Sequence, residues 1–482
     1  MGKMTTKEME QIYKGCDTFV MCSTLNQIVN YIPIMNMLEC KAQSDNNSRK
    51  VKLVNLTYEG ELRGSLESKS GDASEETGIR FDNKGWDENL RNVLREEFVR
   101  RSEENEDLSE FIEQNEEGDE GHEFIFDVEL AREYYQDDYE EKICDCIKNR
   151  ESVVWNITGG QRNILLTVLD LIREDIGKEQ LGKHHTILYM EGNTNRWIVG
   201  TITSNSSKIE KRELEELYQV KDLSIQKVLG LAGFNVSGEY KPISIEQLIN
   251  DIEKKQKVRR DAYEKFWEIY KKDLTLRENC LRVQSKKEQD KVYDWNSLIS
   301  DLEKKDRLNK EELEVFKGIQ GEDTSKFGYV LEELLFFRIL EAIKKLRKSD
   351  EWKDYFIELR HNISPKDEGT YCQFDVVLLA RTGQPIIFEC KSSAISSDTA
   401  KARMYTSYAV SGVYGTPILV PPFLNEDYDE IKKALIQEKT IWSKMKSLYN
   451  AAKISGIRLW HLDEIEENIK TLYNEILRNS ED

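Results

Sequence analysis

The sequence predicts an α/β protein of at least two parts. Three observations carry this: strands alternate with helices in the amino-terminal part, a Lys-rich helical stretch follows, and an apolar β-hairpin bearing three charges lies near the carboxyl end. A chain of 482 residues is longer than one core usually supports.

Thr18-Phe19-Val20-Met21-Cys22 is a short apolar strand, followed by Ser23-Thr24-Leu25-Asn26-Gln27 and a helical pattern through Ile28, Ile32, Ile34 and Leu38. Val51–Leu56 forms a second strand, Ser152–Ile157 a third and Thr186–Met190 a fourth. This alternation implies a mostly parallel sheet covered on both faces, with ligands bound at the carboxyl ends of its strands. Between the second and third strands, Tyr58 to Glu151 reads as an acidic insertion. Its runs Glu103-Glu104-Asn105-Glu106-Asp107 and Glu116-Glu117-Gly118-Asp119-Glu120 suggest a solvated loop.

From Leu214 to about Glu312 the chain reads as a helical connector. Tyr263, Phe266, Trp267 and Tyr270, spaced by three and four, share one helix face beside Lys254-Lys255-Gln256-Lys257-Val258-Arg259-Arg260. A packed connector is preferred there over an aromatic and basic nucleic-acid platform. Lys345, Arg347 and Lys348, farther on, read as solvated helix charges rather than phosphate ligands.

The hairpin holds the chemistry. Phe374-Asp375-Val376-Val377-Leu378-Leu379, a turn at Gly383 and Ile386-Ile387-Phe388-Glu389-Cys390-Lys391 place charges inside apolar strands. A core strand tolerates them only if they meet each other, a metal or water. Period-two alternation sets Glu389 and Lys391 on one face and Cys390 on the other, where it reads as core. Asp375 starts the partner strand and reaches the same site. Two carboxylates able to share a hard cation beside an ammonium suit attack of water on a phosphodiester. The competing reading is an ordinary salt bridge between Lys391 and Asp375.

A second constellation, Asn156-Ile157-Thr158-Gly159-Gly160-Gln161-Arg162-Asn163, follows an apolar strand and opens the helix Ile164–Leu169. Its glycines let backbone amides approach a phosphate, and a helix amino terminus adds positive partial charge. The plainer reading is a strand-to-helix turn with Thr158 as N-cap. Neither GxxxxGK[ST] nor GxGxxG is present, so a nucleotide of another sort is indicated.

The net charge of −20 argues against affinity for polyanions through the overall field, so any nucleic-acid contact must be local. Eight scattered cysteines without a CxxC pair, and no targeting pattern, suggest the reducing cytoplasm. No apolar run reaches the length of a membrane span. His122, His184, His185, His361 and His461 form no zinc pattern.

Asp375 with Glu389-Cys390-Lys391 resembles the motif of the PD-(D/E)xK nuclease superfamily, with Gln373-Phe374 where its proline would stand. The resemblance implies an auxiliary acid on a preceding helix; Glu332 is the choice and Glu333 the fallback. The Ser23–Gln27 turn, the Thr158–Arg162 turn and this carboxyl-terminal module together look like the CARF-nuclease family, ancillary effectors of type III CRISPR systems. Val220–Leu229 with Gly233-Phe234 is similar to the junction after the sensor domain of such proteins.

The implied fold is an amino-terminal Rossmann-like CARF domain, a nucleotide sensor at 1–213, then the connector at 214–312. A restriction-endonuclease-like PD-(D/E)xK α/β domain follows at 313–482. The implied activity is a metal-dependent phosphodiesterase, an endonuclease of single-stranded DNA or RNA that can nick duplex DNA, activated by a cyclic oligoadenylate. Tetra-adenylate is the favoured ring. Asp375, Glu389, the Cys390 carbonyl and Glu332 would bind Mg2+ or Mn2+, with Lys391 catalytic beside them. Ser23, Thr24, Gln27, Thr158, Gly159, Gly160, Gln161 and Arg162 would line the cyclic ligand. A homodimer is expected, because a symmetric ring fits across a two-fold axis.

Overall fold

The computed structural model describes residues 2–44, 49–58, 83–114, 124–131, 134–160, 162–178, 184–191, 196–203, 209–214, 222–236, 241, 243–283, 294–321, 323–348, 355–366, 373–391, 401, 404, 406–408, 415–424 and 441–478. The chain divides into two compact units, one built mainly from residues 1–223 and 227–234, the other from 235–477.

The first unit contains, in chain order, β1 (Gly2–Met4), α1 (Thr6–Gly15), β2 (Thr18–Cys22), α2 (Ile28–Ala42), β3 (Lys52–Tyr58), α3 (Asn83–Glu103), β4 (Ile125–Leu130), α4 (Gln136–Ile147) and β5 (Ser152–Asn156). Then come α5 (Arg162–Lys178), β6 (His184–Glu191), β7 (Arg196–Thr203) and β8 (Glu210–Leu214), and α6 (Ile225–Leu231) follows. The sheet order is β1-β8-β7-β6-β5-β2-β3-β4. β6, β5, β2, β3 and β4 run parallel, while β7 pairs antiparallel with both β6 and β8. The chain steps from β2 outward through β3 to β4, then returns to the other side of β2 for β5 and β6. This is the doubly wound Rossmann-type order, and its reversal lies between β2 and β5.

Burial on both faces explains the apolar run of β2, all five of whose residues are buried. One face packs Val20, Val54 and Trp155 against Tyr139 and Ile143 of α4 and Val168 and Ile172 of α5. On the other face α2 is apolar nearly all round and buried from Ile28 to Met35.

The stretch expected as an acidic insertion contributes structure to this sheet. Leu90, Val93, Leu94 and Phe98 are the buried stripe of α3, and β4 is the edge strand beside β3. The charges did not prevent folding because they neutralise one another. Arg101, 1% exposed, pairs with Glu97, Glu39 and Glu106, and Arg100 with Glu97 and Glu104. The run at 116–120 and residues 59–82 lie outside the described residues.

The second unit holds β9 (Asn235–Val236), α7 (Ile245–Asp251), α8 (Lys257–Lys272), α9 (Leu274–Val283), α10 (Trp295–Lys304), α11 (Lys310–Lys317) and α12 (Asp323–Leu346). It continues with β10 (Phe356–Ile363), β11 (Pro365–Lys366), β12 (Phe374–Ala380), β13 (Pro385–Cys390), β14 (Thr416–Val420), α13 (Ile441–Ser455), β15 (Arg458–Leu459) and α14 (Ile465–Arg478). The helices from Ile245 to Val283 and from Trp295 to Lys304, within the stretch 214–312 expected as a connector, pack into this unit together with α11. Tyr263, Phe266, Trp267 and Tyr270 are fully buried, meeting Phe316 of α11 and Phe327 and Phe337 of α12. Rings buried this way present no stacking surface to a nucleic acid. Its sheet order is β10-β12-β13-β14-β15, with β12 antiparallel to β10 and β13, and β14 parallel to β13 and β15. The expected hairpin, β12 and β13, therefore sits mid-sheet with both strands fully buried.

No helix among the described residues is long and apolar enough to cross a membrane. The seven described cysteines are free thiols.

Candidate active site and ligand crevice

In the second unit, the β12/β13 register pairs Val376 with Phe388, so Asp375 and Glu389 face one another at the next rung. Both are almost fully buried, 8% and 7% exposed. The Cys390 N–H donates to Asp375 Oδ2 at 2.7 Å, and Lys391 Nζ lies 2.5 Å from Glu389 Oε1. The ion pair formed is thus Lys391 with Glu389, not Lys391 with Asp375. Cys390 itself is buried, and burial pushes its thiol well above the ordinary range.

Glu332 and Glu333 are neighbours on α12 and part company in space. Glu333 Oε2 is 3.1 Å from Arg259 Nη2, and its Oε1 is 3.6 Å from His361 Nδ1. Glu332 is half-buried on the side of the hairpin acids. Burial raises its pKa, Lys391 opposes the rise and Glu389 adds to it. Asp375 is pushed up to about 8, first by burial, then by the charges of Glu389 and Glu332, against the pull of Lys391 and the Cys390 amide. The structure therefore gathers Glu332, Asp375, Glu389 and Lys391.

Among the described residues, no group of three or more His, Cys, Asp and Glu stands arranged to hold a metal ion. In kind, the donors suit a hard divalent cation. All are oxygens, and the charges of Glu389 and Glu332 add to burial in raising the Asp375 pKa, a repulsion that a divalent charge would remove. Lys345 of α12 pairs with Glu466 at 2.6 Å. His461 is buried, its Nε2 2.8 Å from Tyr449 Oη.

In the first unit, the turns after β2 and β5 meet at the strand-order reversal. Gly159 and Gly160 are required by that approach: a Cβ on Gly159 would lie 2.8 Å from Thr24 Cβ, and one on Gly160, at φ +92°, 2.5 Å from Cys22 Cβ. Thr24 and Thr158 are half-buried, and Arg162 opens α5 with an exposed side chain. Gln161 lies outside the described residues.

Thr158 does not cap α5. Its Oγ1 donates to Asn156 Oδ1 at 2.7 Å and accepts from the Met190 N–H at 2.9 Å, locking the turn to β5 and β6. Gln27 is fully buried: its Nε2 donates to Asp87 Oδ1 at 3.2 Å and its Oε1 accepts from Asn30 Nδ2 at 2.9 Å. Asn156 Nδ2 extends the chain by donating to Asn30 Oδ1 and the Val29 carbonyl.

Beneath these turns lies a polar layer in which Asn156 is joined by residues that sequence reasoning missed: Asn30, Asn55, Asp87, Arg91 and Asp127. Arg91 Nη2 is 2.6 Å from Asp127 Oδ2, and Asn55 Nδ2 donates to Asp127 Oδ1 at 2.9 Å. The signal available was the apolar spacing of Leu90, Val93, Leu94 and Phe98, which marks a helix inside the stretch read as loop.

No protein-family model matches the chain, and no curated protein sequence matches it either. Solved structures do. Protein VC1899 from Vibrio cholerae is 12% identical, with a TM-score of 0.55 over 95% of this chain and 98% of that one. Can2 from Sulfobacillus thermosulfidooxidans, solved in complex with cyclic tetra-adenylate, is 14% identical, with a TM-score of 0.51 over 94% of this chain and 98% of that one. At such identities the likeness is one of fold: this chain is a mixed α/β protein similar in fold to both.

Proposed function

We propose that the chain is a cyclic-oligoadenylate-activated, metal-dependent endonuclease of type III CRISPR defence, acting as a homodimer on single-stranded DNA or RNA and nicking duplex DNA. The observation that carries the reading is the pair of buried acids Asp375 and Glu389, facing one another across β12 and β13, with Lys391 held against Glu389 and the half-buried Glu332 near enough to feel their charges. A structural module has no use for such repulsion, whereas a phosphodiesterase site does. The sensor half of the reading is supported by the meeting of the Ser23–Gln27 and Thr158–Arg162 turns at the sheet's strand-order reversal, where such sheets bind ligands, and by the likeness to Can2 with its bound cyclic tetra-adenylate. Residues 1–213 are assigned to the sensor and 313–482 to the nuclease.

Asp375, Glu389, the Cys390 carbonyl and Glu332 would hold Mg2+ or Mn2+, which when bound supplies charge neutralisation at the scissile phosphate and a lowered pKa for water. Lys391, held against Glu389, positions the attacking water and stabilises the charge developing on the phosphorane oxygens. The amide of Cys390 fixes the rotamer of Asp375. In the crevice, Ser23, Thr24, Gln27, Thr158, Gly159, Gly160 and Gln161 would shape the ring's seat, with Arg162 beside a phosphate. Tetra-adenylate is the favoured ring.

The test is cleavage of supercoiled plasmid, single-stranded DNA and RNA with Mg2+ or Mn2+, with and without cyclic tri-, tetra- and hexa-adenylate. Cleavage that needs a ring and falls about 100-fold or more in Lys391→Ala is expected. Cleavage without any ring indicates a restriction-type enzyme. Ring binding without cleavage indicates a regulator with an inactive module, and intact cleavage by Lys391→Ala refutes the assigned chemistry.

A further inference from the structure

The polar layer beneath the crevice is built around one side chain that the sequence motifs do not include. Asp87, on the first turns of α3, is 4% exposed and reaches the turn after β2 through Gln27 Nε2 at 3.2 Å. Ser23, Asn55 and Thr57, on β3 and the same turn, also lie near its carboxyl. One acid therefore ties α3 to the segments that carry Ser23 and Gln27, two residues expected to line the ligand.

Other groups facing it are few. Asp127 of β4 is the neighbouring acid, Arg91 lies one turn along α3 and is occupied by Asp127 at 2.6 Å, and Cys22 of β2 is a buried thiol pushed up to about 12. No cation in that set bonds Asp87 directly. Among the described residues its carboxyl is met by neutral donors, so new negative charge nearby disfavours its ionised form.

We propose that Asp87 is the positioning residue of the crevice, holding the Ser23–Gln27 turn in its binding geometry and taking up a proton from solvent when a polyanionic ligand occupies the site. Burial already raises its pKa to about 6, so the uptake falls near neutral pH. Bound phosphates disfavour the carboxylate further. By linkage, whatever raises the acid's proton affinity makes the ligand bind more tightly as pH falls. The inference rests on the reading of the crevice as a cyclic-oligoadenylate site and adds a residue and a proton to it.

Calorimetry with cyclic tetra-adenylate, at pH 5.5 and 7.5 and in two buffers of different ionisation enthalpy, tests it on the full chain. If the ligand raises the Asp87 pKa by about one unit, wild-type affinity improves by up to about tenfold at the lower pH, and about half a proton is taken up near pH 6.5. Asp87→Asn, which cannot ionise but can still accept from Gln27, is expected to lose the pH dependence while staying within about threefold of the wild-type affinity at pH 5.5. Asp87→Ala leaves the buried Gln27 amide without that acceptor and is expected to weaken binding about tenfold or more at both pH values. Proton uptake needs no variant, so a misfolded mutant does not spare the proposal. Wild-type binding with no proton uptake and no pH dependence overturns this inference and leaves the functional reading standing. Failure of the wild-type chain to bind any of the three rings at either pH overturns both.

Discussion

Removing the charge of Asp375 should stabilise the protein, and the size of the effect follows from the site. In the folded chain this carboxyl holds its proton up to about 8, against an ordinary value of 3.8, because it is buried beside Glu389 and Glu332. Between those two values the folded state binds more proton than the unfolded one, so stability falls as pH rises through that window and contributes no cost below it. One proton over the two units from pH 5 to 7 corresponds to about 2.7 kcal/mol. The neighbouring Lys391 ammonium offsets part of this, so a loss of about 1–3 kcal/mol is expected, seen as about 3–8 °C in the melting temperature of a unit this size. Asp375→Asn keeps an acceptor for the Cys390 N–H and cannot ionise. Calorimetric melting from pH 5 to 8.5 should show the wild type falling away from a flatter Asp375→Asn profile. Added Mg2+ or Mn2+ should raise the wild-type transition at pH 8 and leave the variant's unmoved. Parallel profiles would refute the claim that these acids repel one another in the folded state.

Two further outcomes follow from the first unit. Gly160→Ala places a Cβ 2.5 Å from Cys22 Cβ at a positive φ, so it should cost about 1–3 kcal/mol in chemical denaturation and abolish binding of a cyclic oligoadenylate in a thermal-shift titration. Glu97→Gln strips the buried carboxylate that Arg100, Arg101 and Lys227 share, and should cost about 3–5 kcal/mol in urea unfolding. The charges on its partners hold the Glu97 pKa below the ordinary value despite burial, so the stability it lends is present at neutral pH and lost on acidification.

The hairpin was legible because its pattern is local. Asp, Glu and Lys inside an otherwise apolar pair of strands violate the rule for core positions, and period two alone places Glu389 and Lys391 together. The turns at Ser23 and Thr158 were legible for a similar reason, since polar residues and glycines interrupt apolar strands there. Sequence could not separate Glu332 from Glu333. Their helix positions differ by one residue, and only the packing of α12 sends Glu333 to Arg259 and leaves Glu332 on the side of the hairpin acids.

The charged segments were where reading by composition failed. An acid-rich stretch looks solvated when its partners are distant in sequence, yet Glu97, Arg101 and Asp87 are buried because α3 lies among groups that bond to them. Gln27, read as lining a ligand, is also a buried tie to Asp87 and Asn30, which its place in the sequence did not reveal. Sequence by itself determined the alternation around β2, α2, β3, β5, α5 and β6 and which hairpin is chemically unusual, because both depend on neighbours within a few residues. The strand order that joins the turns after β2 and β5, and the depth at which each charge sits, were decided by tertiary packing, because pairing and desolvation are set by residues up to a hundred or more positions away.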